Sequence, residues 1–176
     1  MQDAQLMARF VGMWKLIASE FRKDSGEVYY PLGRKASGLL IYTADGTMAA
    51  QLMRAERPSF PDGDLSRGSA EDIRRTLIGY TAYFGTFSID AGKQTIIHHV
   101  LGSLYPDWIG SQQVRHFEFD DDRLILKTPP MRISGQTHSG VLEWQRGAVT
   151  TGSSITRATL PIACSSLGCS ASTSLP

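Results

Sequence analysis

The chain has 176 residues, 41% hydrophobic and 20% charged, with a formal net charge of +1. Such a length suits one domain able to bury a sizeable core without disulfide or metal staples, and the near-neutral balance provides no field to draw nucleic acid or an anionic membrane. No stretch approaches the roughly 20 apolar residues of a membrane helix, and residues 1–10 place Asp3 where a secretory leader carries positive charge, so a soluble, cytoplasmic protein is expected.

The first strand is expected over residues 13–21, where Trp14, Leu16 and Ala18 alternate with Lys15, Ile17 and Ser19, ending in a Lys-Asp-Ser-Gly turn at 23–26. Residues 38–43 and 47–53 form the clearest hairpin, because Asp45-Gly46 between two strand-like runs is a strong local turn signal. Residues 54–68, with two prolines and two glycines, read as a loop over one barrel end. A helix follows over 69–80, capped by Ser69 with Asp72 three residues on and bearing Ile73, Leu77 and Tyr80 at helical spacing; it is expected to lie across a barrel end.

The β pattern resumes at 83–90 and 94–101, joined by a turn at Ala91-Gly92-Lys93. After a long connection through 105–110 come strands at 112–119 and 123–128, joined at Asp120-Asp121-Asp122, then a Pro/Gly-rich link and a last strand at 139–146. The count is about eight strands, the number at which a closed barrel has room for its side chains plus one small ligand. The expected fold is therefore all-β: a single closed antiparallel barrel with one short helix. The barrel is assigned to residues 7–146 and a disordered Ser/Thr-rich tail to 147–176. Cys164 and Cys169 in that tail lack the spacing of a redox or zinc pair and read as free thiols.

Gly12-x-Trp14 on the first strand and Arg146 at the end of the last resemble the lipocalin arrangement, in which an arginine covers a tryptophan at the barrel base. A longer series is similar to the lipocalin-like domain family of bacteria and fungal biosynthetic settings: Gly12-Met-Trp-Lys-Leu-Ile, residues 38–48, Tyr80-Thr-Ala-Tyr-Phe-Gly-Thr-Phe, His98-His-Val, Pro106-Asp-Trp-Ile-Gly110 and Gln113-Val-Arg-His-Phe. The resemblance implies a calycin-type barrel with an internal pocket. Related small barrels of specialised metabolism act as cofactor-free cyclases or isomerases, so the resemblance supplies a pocket but no reaction.

His98 and His99 invite a metal reading, but neighbours in a strand face opposite sides and no third ligand stands at a suitable spacing, so no metal site is expected. The inward histidine is either a proton donor or acceptor or a structural partner of a tyrosine. Arg115 shares a face with Gln113, Phe117 and Phe119; a guanidinium there needs a rim carboxylate, a carbonyl oxygen or a ligand anion. The candidate catalytic set is His98 as acid or base, Arg115 as carbonyl polariser and Tyr83 as hydrogen-bond partner, with Tyr42, Met48, Gln51, Trp108, Gln113 and Phe117 as ligand contacts. No hydrolase elbow, phosphate loop, dinucleotide fingerprint or zincin motif occurs, so no cofactor is expected. The leading expectation is cofactor-independent cyclisation or isomerisation of a small apolar intermediate in secondary metabolism. Set against it are a non-catalytic carrier of the same kind of molecule and a dimerising scaffold filled by its own side chains; pairing with a second copy is left open.

Overall fold

Alternating apolar and polar residues leave each strand one dry face, and the shape that buries all those faces without an exposed edge is a closed sheet. The computed structural model describes residues 2–133 and 135–147. Within them run α1 (Gln2–Phe10), β1 (Gly12–Lys23), β2 (Val28–Tyr29), β3 (Ser37–Tyr42), β4 (Thr47–Met53), α2 (Ala70–Ile78), β5 (Tyr80–Asp90), β6 (Thr95–Ser103), β7 (Gln112–Asp120), β8 (Arg123–Lys127), β9 (Met131–Ile133) and β10 (Gln136–Arg146). The sheet order is β2-β1-β3-β4-β5-β6-β7-β8-β10-β9, and β1 also pairs with β10 to seal the cylinder. Eight strands form the barrel, with β2 and β9 added at its margins. All pairings are antiparallel, and the closing one runs from Trp14 opposite Arg146 to Lys23 opposite His138.

The expected hairpin is present. The Thr43 and Thr47 backbones pair across the turn at 2.9 Å, and Gly46 takes φ +86°, a left-handed conformation that glycine adopts without strain. The helix cap is present too: the Ser69 side chain accepts from the Asp72 N–H while the Asp72 carboxylate accepts from the Ser69 N–H. Three further features correct the sequence reading. First, Leu16 pairs with Trp144 and Ala18 with Glu143, so Ile17 is an extra residue in a bulge. The inward phase slips by one, and Ser19, not Ala18, is the buried residue. Second, the last strand begins at Gln136 rather than 139, because β9 folds back on it as a short hairpin. Third, residues 2–10 are helical, a segment too short for its periodicity to stand out.

That helix seals one end of the barrel. Phe10 is fully buried at its C-terminus, edge-on to Tyr42, Phe117 and Phe119 with ring centroids 5.6, 5.0 and 4.8 Å away. The Trp14 indole N–H donates to the Phe10 carbonyl at 2.8 Å, and the Arg146 guanidinium lies 4.2 Å over the Trp14 ring. Arg146 also donates to the carbonyls of Val11 and Arg9, so the end of β10 is tied to the helix and to the start of β1. Gly147 remains in this arrangement, its N–H donating to the Met13 carbonyl at 2.7 Å, whereas residues 148–176, including both cysteines and the rest of the expected tail, lie outside the described residues. Among the described residues no helix is long and apolar enough to cross a membrane.

Candidate functional site

Strands β5, β6 and β7 build the polar side of the interior. On β6, Ile96, His98 and Val100 are buried inward, whereas His99 turns outward and bonds Ser88 Oγ at 2.8 Å. His98 pairs in register with Phe87 on β5 and Gln113 on β7. Its Nε2 lies 2.6 Å from the Tyr42 hydroxyl and its Nδ1 3.0 Å from that of Tyr83. A neutral imidazole has one donor and one acceptor nitrogen, so one tyrosine donates to the ring and the other accepts from it. Burial pushes the imidazole down to about 3, helped by the positive charge of Arg115 and by His99. Burial likewise raises Tyr42 and Tyr83, Arg115 partly offsetting the shift at both. His98 is thus uncharged at neutral pH and bonded at both nitrogens, an arrangement that fixes the two phenols and leaves the ring a poor proton acceptor.

Above this triad is a cavity of about 430 Å³. Small or aliphatic side chains make most of its wall, among them Leu40, Ala50, Leu52, Leu126 and Leu142. Tyr83, His98, Gln113 and Arg115 provide a polar strip, and Tyr105, Trp108 and Ile78 at the end of α2 stand on the side reached through the loops. The barrel is hollow, so a scaffold filled by its own side chains does not describe it.

Arg115 donates to its neighbour's carbonyl, that of Val114, at 2.7 Å and to Gln113 Oε1 at 3.3 Å. Gln113 in turn donates to Ser111 Oγ, which donates to the Trp108 carbonyl, so the guanidinium is linked through a side-chain chain to the loop over the cavity. No ion pair to Arg115 occurs among the described residues, and no Asp, Glu or Lys lines the cavity. Among the described residues Arg115 thus meets carbonyl oxygens and no rim carboxylate.

The candidate residues divide into three groups. Tyr83, His98, Trp108, Gln113 and Arg115 come together on the cavity wall, with Trp108 edge-on to Tyr83 at 5.7 Å between centroids. Tyr42, Met48 and Phe117 are buried but belong to the packed layer between the cavity and the Phe10 end, where Tyr42 touches both His98 and Phe10. Gln51 is corrected: even positions of β4 face in and Gln51 faces out, where it accepts from the Tyr80 hydroxyl at 2.8 Å. Trp144 was missed, yet it lines the cavity, is 2% exposed, and its indole N–H has no partner among the described residues. The signal existed, since Trp144 lies two residues before Arg146 on the same inward face of β10. Among the described residues no cluster of His, Cys, Asp or Glu has the arrangement to hold a metal.

A barrel closed at one end by a Trp–Arg stack and hollow toward the other is the plan of small-ligand barrels, and residues 11–147 match the family model described as a lipocalin-like domain. The chain belongs to the lipocalin-like domain family. The match spans the barrel from the residue before β1 to the residue after β10. A curated relative of this lipocalin-like protein, from Aspergillus oryzae, is named 4'-hydroxy-3'-methoxypropiophenone carrier protein ppsC. It is 32% identical over 106 residues, which cover 56% of this chain and 96% of the relative.

Proposed function

We propose that this protein binds a small, largely apolar molecule of secondary metabolism inside its barrel and holds it without a cofactor, as a carrier. The observation that carries the reading is the cavity: about 430 Å³ falls within the roughly 300–1,000 Å³ typical of ligand pockets, and its few polar groups converge on one wall. The name of the curated relative, a carrier of an aryl ketone, supports the same reading. So does the state of His98, which is spent on holding Tyr42 and Tyr83.

A second reading, cyclisation or isomerisation of the bound molecule, draws on the presence of Tyr83 and Arg115 on one cavity wall. A phenol donor beside a guanidinium suits polarisation of a carbonyl, and orientation in a closed pocket by itself lowers a barrier by several kcal/mol. Arg115→Ala and His98→Ala separate the two readings, because only a catalyst has turnover to lose.

The deciding measurement is titration of the full chain with apolar dyes and aryl ketones, followed through the emission of Trp108 and Trp144. We expect saturation at one site per chain; no saturable change with any of them would overturn the binding proposal. Polyene and polyketide intermediates incubated with the protein, then resolved by mass-detected chromatography, test for turnover: recovery of unchanged ligand is expected for a carrier.

A further inference from the structure

We infer that the ligand of this cavity carries an ionised oxygen and that Arg115 is the residue that selects it. The inference deepens the binding reading above and rests on it. Neutral oxygens meet only part of the cost of a guanidinium in a mostly apolar hollow, and a hydrogen bond from it to an anion is roughly twice as strong as a neutral one. Arg115 meets an amide oxygen, a neighbouring carbonyl and the Tyr83 phenol, all of them neutral. The cavity wall contains no acid to balance it. The site therefore carries one uncompensated positive charge, and the missing negative charge is a property of whatever enters.

Two independent features agree. The Trp144 indole N–H, on another strand lining the cavity, is a buried donor without a partner among the described residues, so the cavity offers a second unused donor to an oxygen acceptor. Outside, Leu32 separates the cavity from a groove lined by Arg34, Lys35, Arg54, Arg57 and Arg75 against a single acid, Glu56. A positive groove next to the cavity raises the local concentration of an anion and speeds its capture.

The groups that face Arg115 do not titrate across neutrality in a way that would imitate ligand ionisation. His98 on β6 is already neutral, with its value near 3. Tyr83 on β5 and Tyr42 on β3 are raised by burial. Gln113 beside it on β7, Leu126 and Thr128 on β8 and Trp144 on β10 carry no charge. Any gain in affinity with pH then belongs to the ligand.

The test uses three benzophenones of similar size: 4-hydroxybenzophenone, whose phenol ionises within the working range, its neutral methyl ether, and 4-benzoylbenzoate, which is ionised throughout. Each is titrated into the full chain from about pH 6 to about pH 9 by tryptophan quenching. If the site takes a phenolate, affinity for the phenol rises about tenfold or more across its ionisation while the ether stays flat. If it takes a carboxylate, the benzoate binds about tenfold or more tighter than the ether at every pH. Arg115→Met, checked for an unchanged thermal melt, should reduce either anion to the level of the ether. Equal affinity of all three for the wild-type protein at every pH overturns the inference while leaving the binding reading intact. Failure of all three, and of the apolar dyes, removes the binding reading itself.

Discussion

Burying His98 between two tyrosines ties the stability of the barrel to pH. In the unfolded chain the imidazole returns to about 6.5, while in the fold it stays neutral until about 3. Between those values the unfolded state holds a proton that the folded state refuses, so stability rises with pH through this window. The contribution is complete above about pH 6.5 and is lost as pH falls toward 3, at up to about 1.4 kcal/mol per unit. Urea unfolding of the wild-type protein should therefore lose about 2 kcal/mol from this group between pH 7 and pH 5. Asp45, Glu71 and Asp72, whose carboxyls are held below their usual range by hydrogen bonds from Thr43, Arg74 and Ser69, act at more acidic pH. His98→Gln should be less stable at pH 7 but flatter over the same interval; parallel profiles for the two proteins would refute the assignment. Strand alternation in the sequence established that only one of His98 and His99 faces inward. Which one does, and that both its nitrogens are taken, depends on the register of β6 against β5 and on Tyr42 in a strand distant in sequence.

Two bulges decide which side chains the strands send inward. The one at Ile17 turns Ser19 and Phe21 to the cavity. The other lies between β5 and β6, where Phe84 pairs with Gly102 but Gly85 pairs with Val100, leaving Leu101 unpaired and exposed. At that point the strands approach so closely that a Cβ on Gly85 would fall 1.9 Å from the His99 carbonyl oxygen. A backbone atom cannot swing aside as a side chain does, so Gly85→Ala should cost about 3 kcal/mol or more in urea unfolding and loosen the amides of β6 in hydrogen exchange. A loss under about 1 kcal/mol would mean that the two strands part easily. The β3–β4 hairpin and the start of α2 were legible because a turn and a cap are local chemistry, written in Asp45-Gly46 and in Ser69 with Asp72. The bulges, α1 and the short strands β2 and β9 were not, because each exists through partners elsewhere: Phe10 through the aromatic layer it plugs, Tyr29 through a 2.7 Å contact with His138, and Met131–Ile133 through β10.

Over the whole molecule, the hollow interior is what gives the sheet a use. Ala50 is 1% exposed and on the cavity wall, so Ala50→Phe directs a ring into space already empty. The variant should melt cooperatively within a few degrees of the wild type, since about 1 kcal/mol moves a domain of this size by only a few degrees. Its affinity for apolar dyes should fall at least about tenfold; unchanged binding would place the dye site outside the barrel. The amino-acid sequence by itself determined the strand periodicity, the turn chemistry and a count consistent with closure, because these follow from alternation, local turns and the geometry of an eight-stranded sheet, while the Trp14–Arg146 pairing was legible through the resemblance to lipocalins. Only the tertiary structure decided that the interior is unfilled, that among the described residues Arg115 has no acid beside it and Trp144 presents an unused donor, and that Gln51 points away. Those are facts about spaces between strands far apart in the chain, and a cavity or an unpaired charge is defined by what every surrounding element fails to supply.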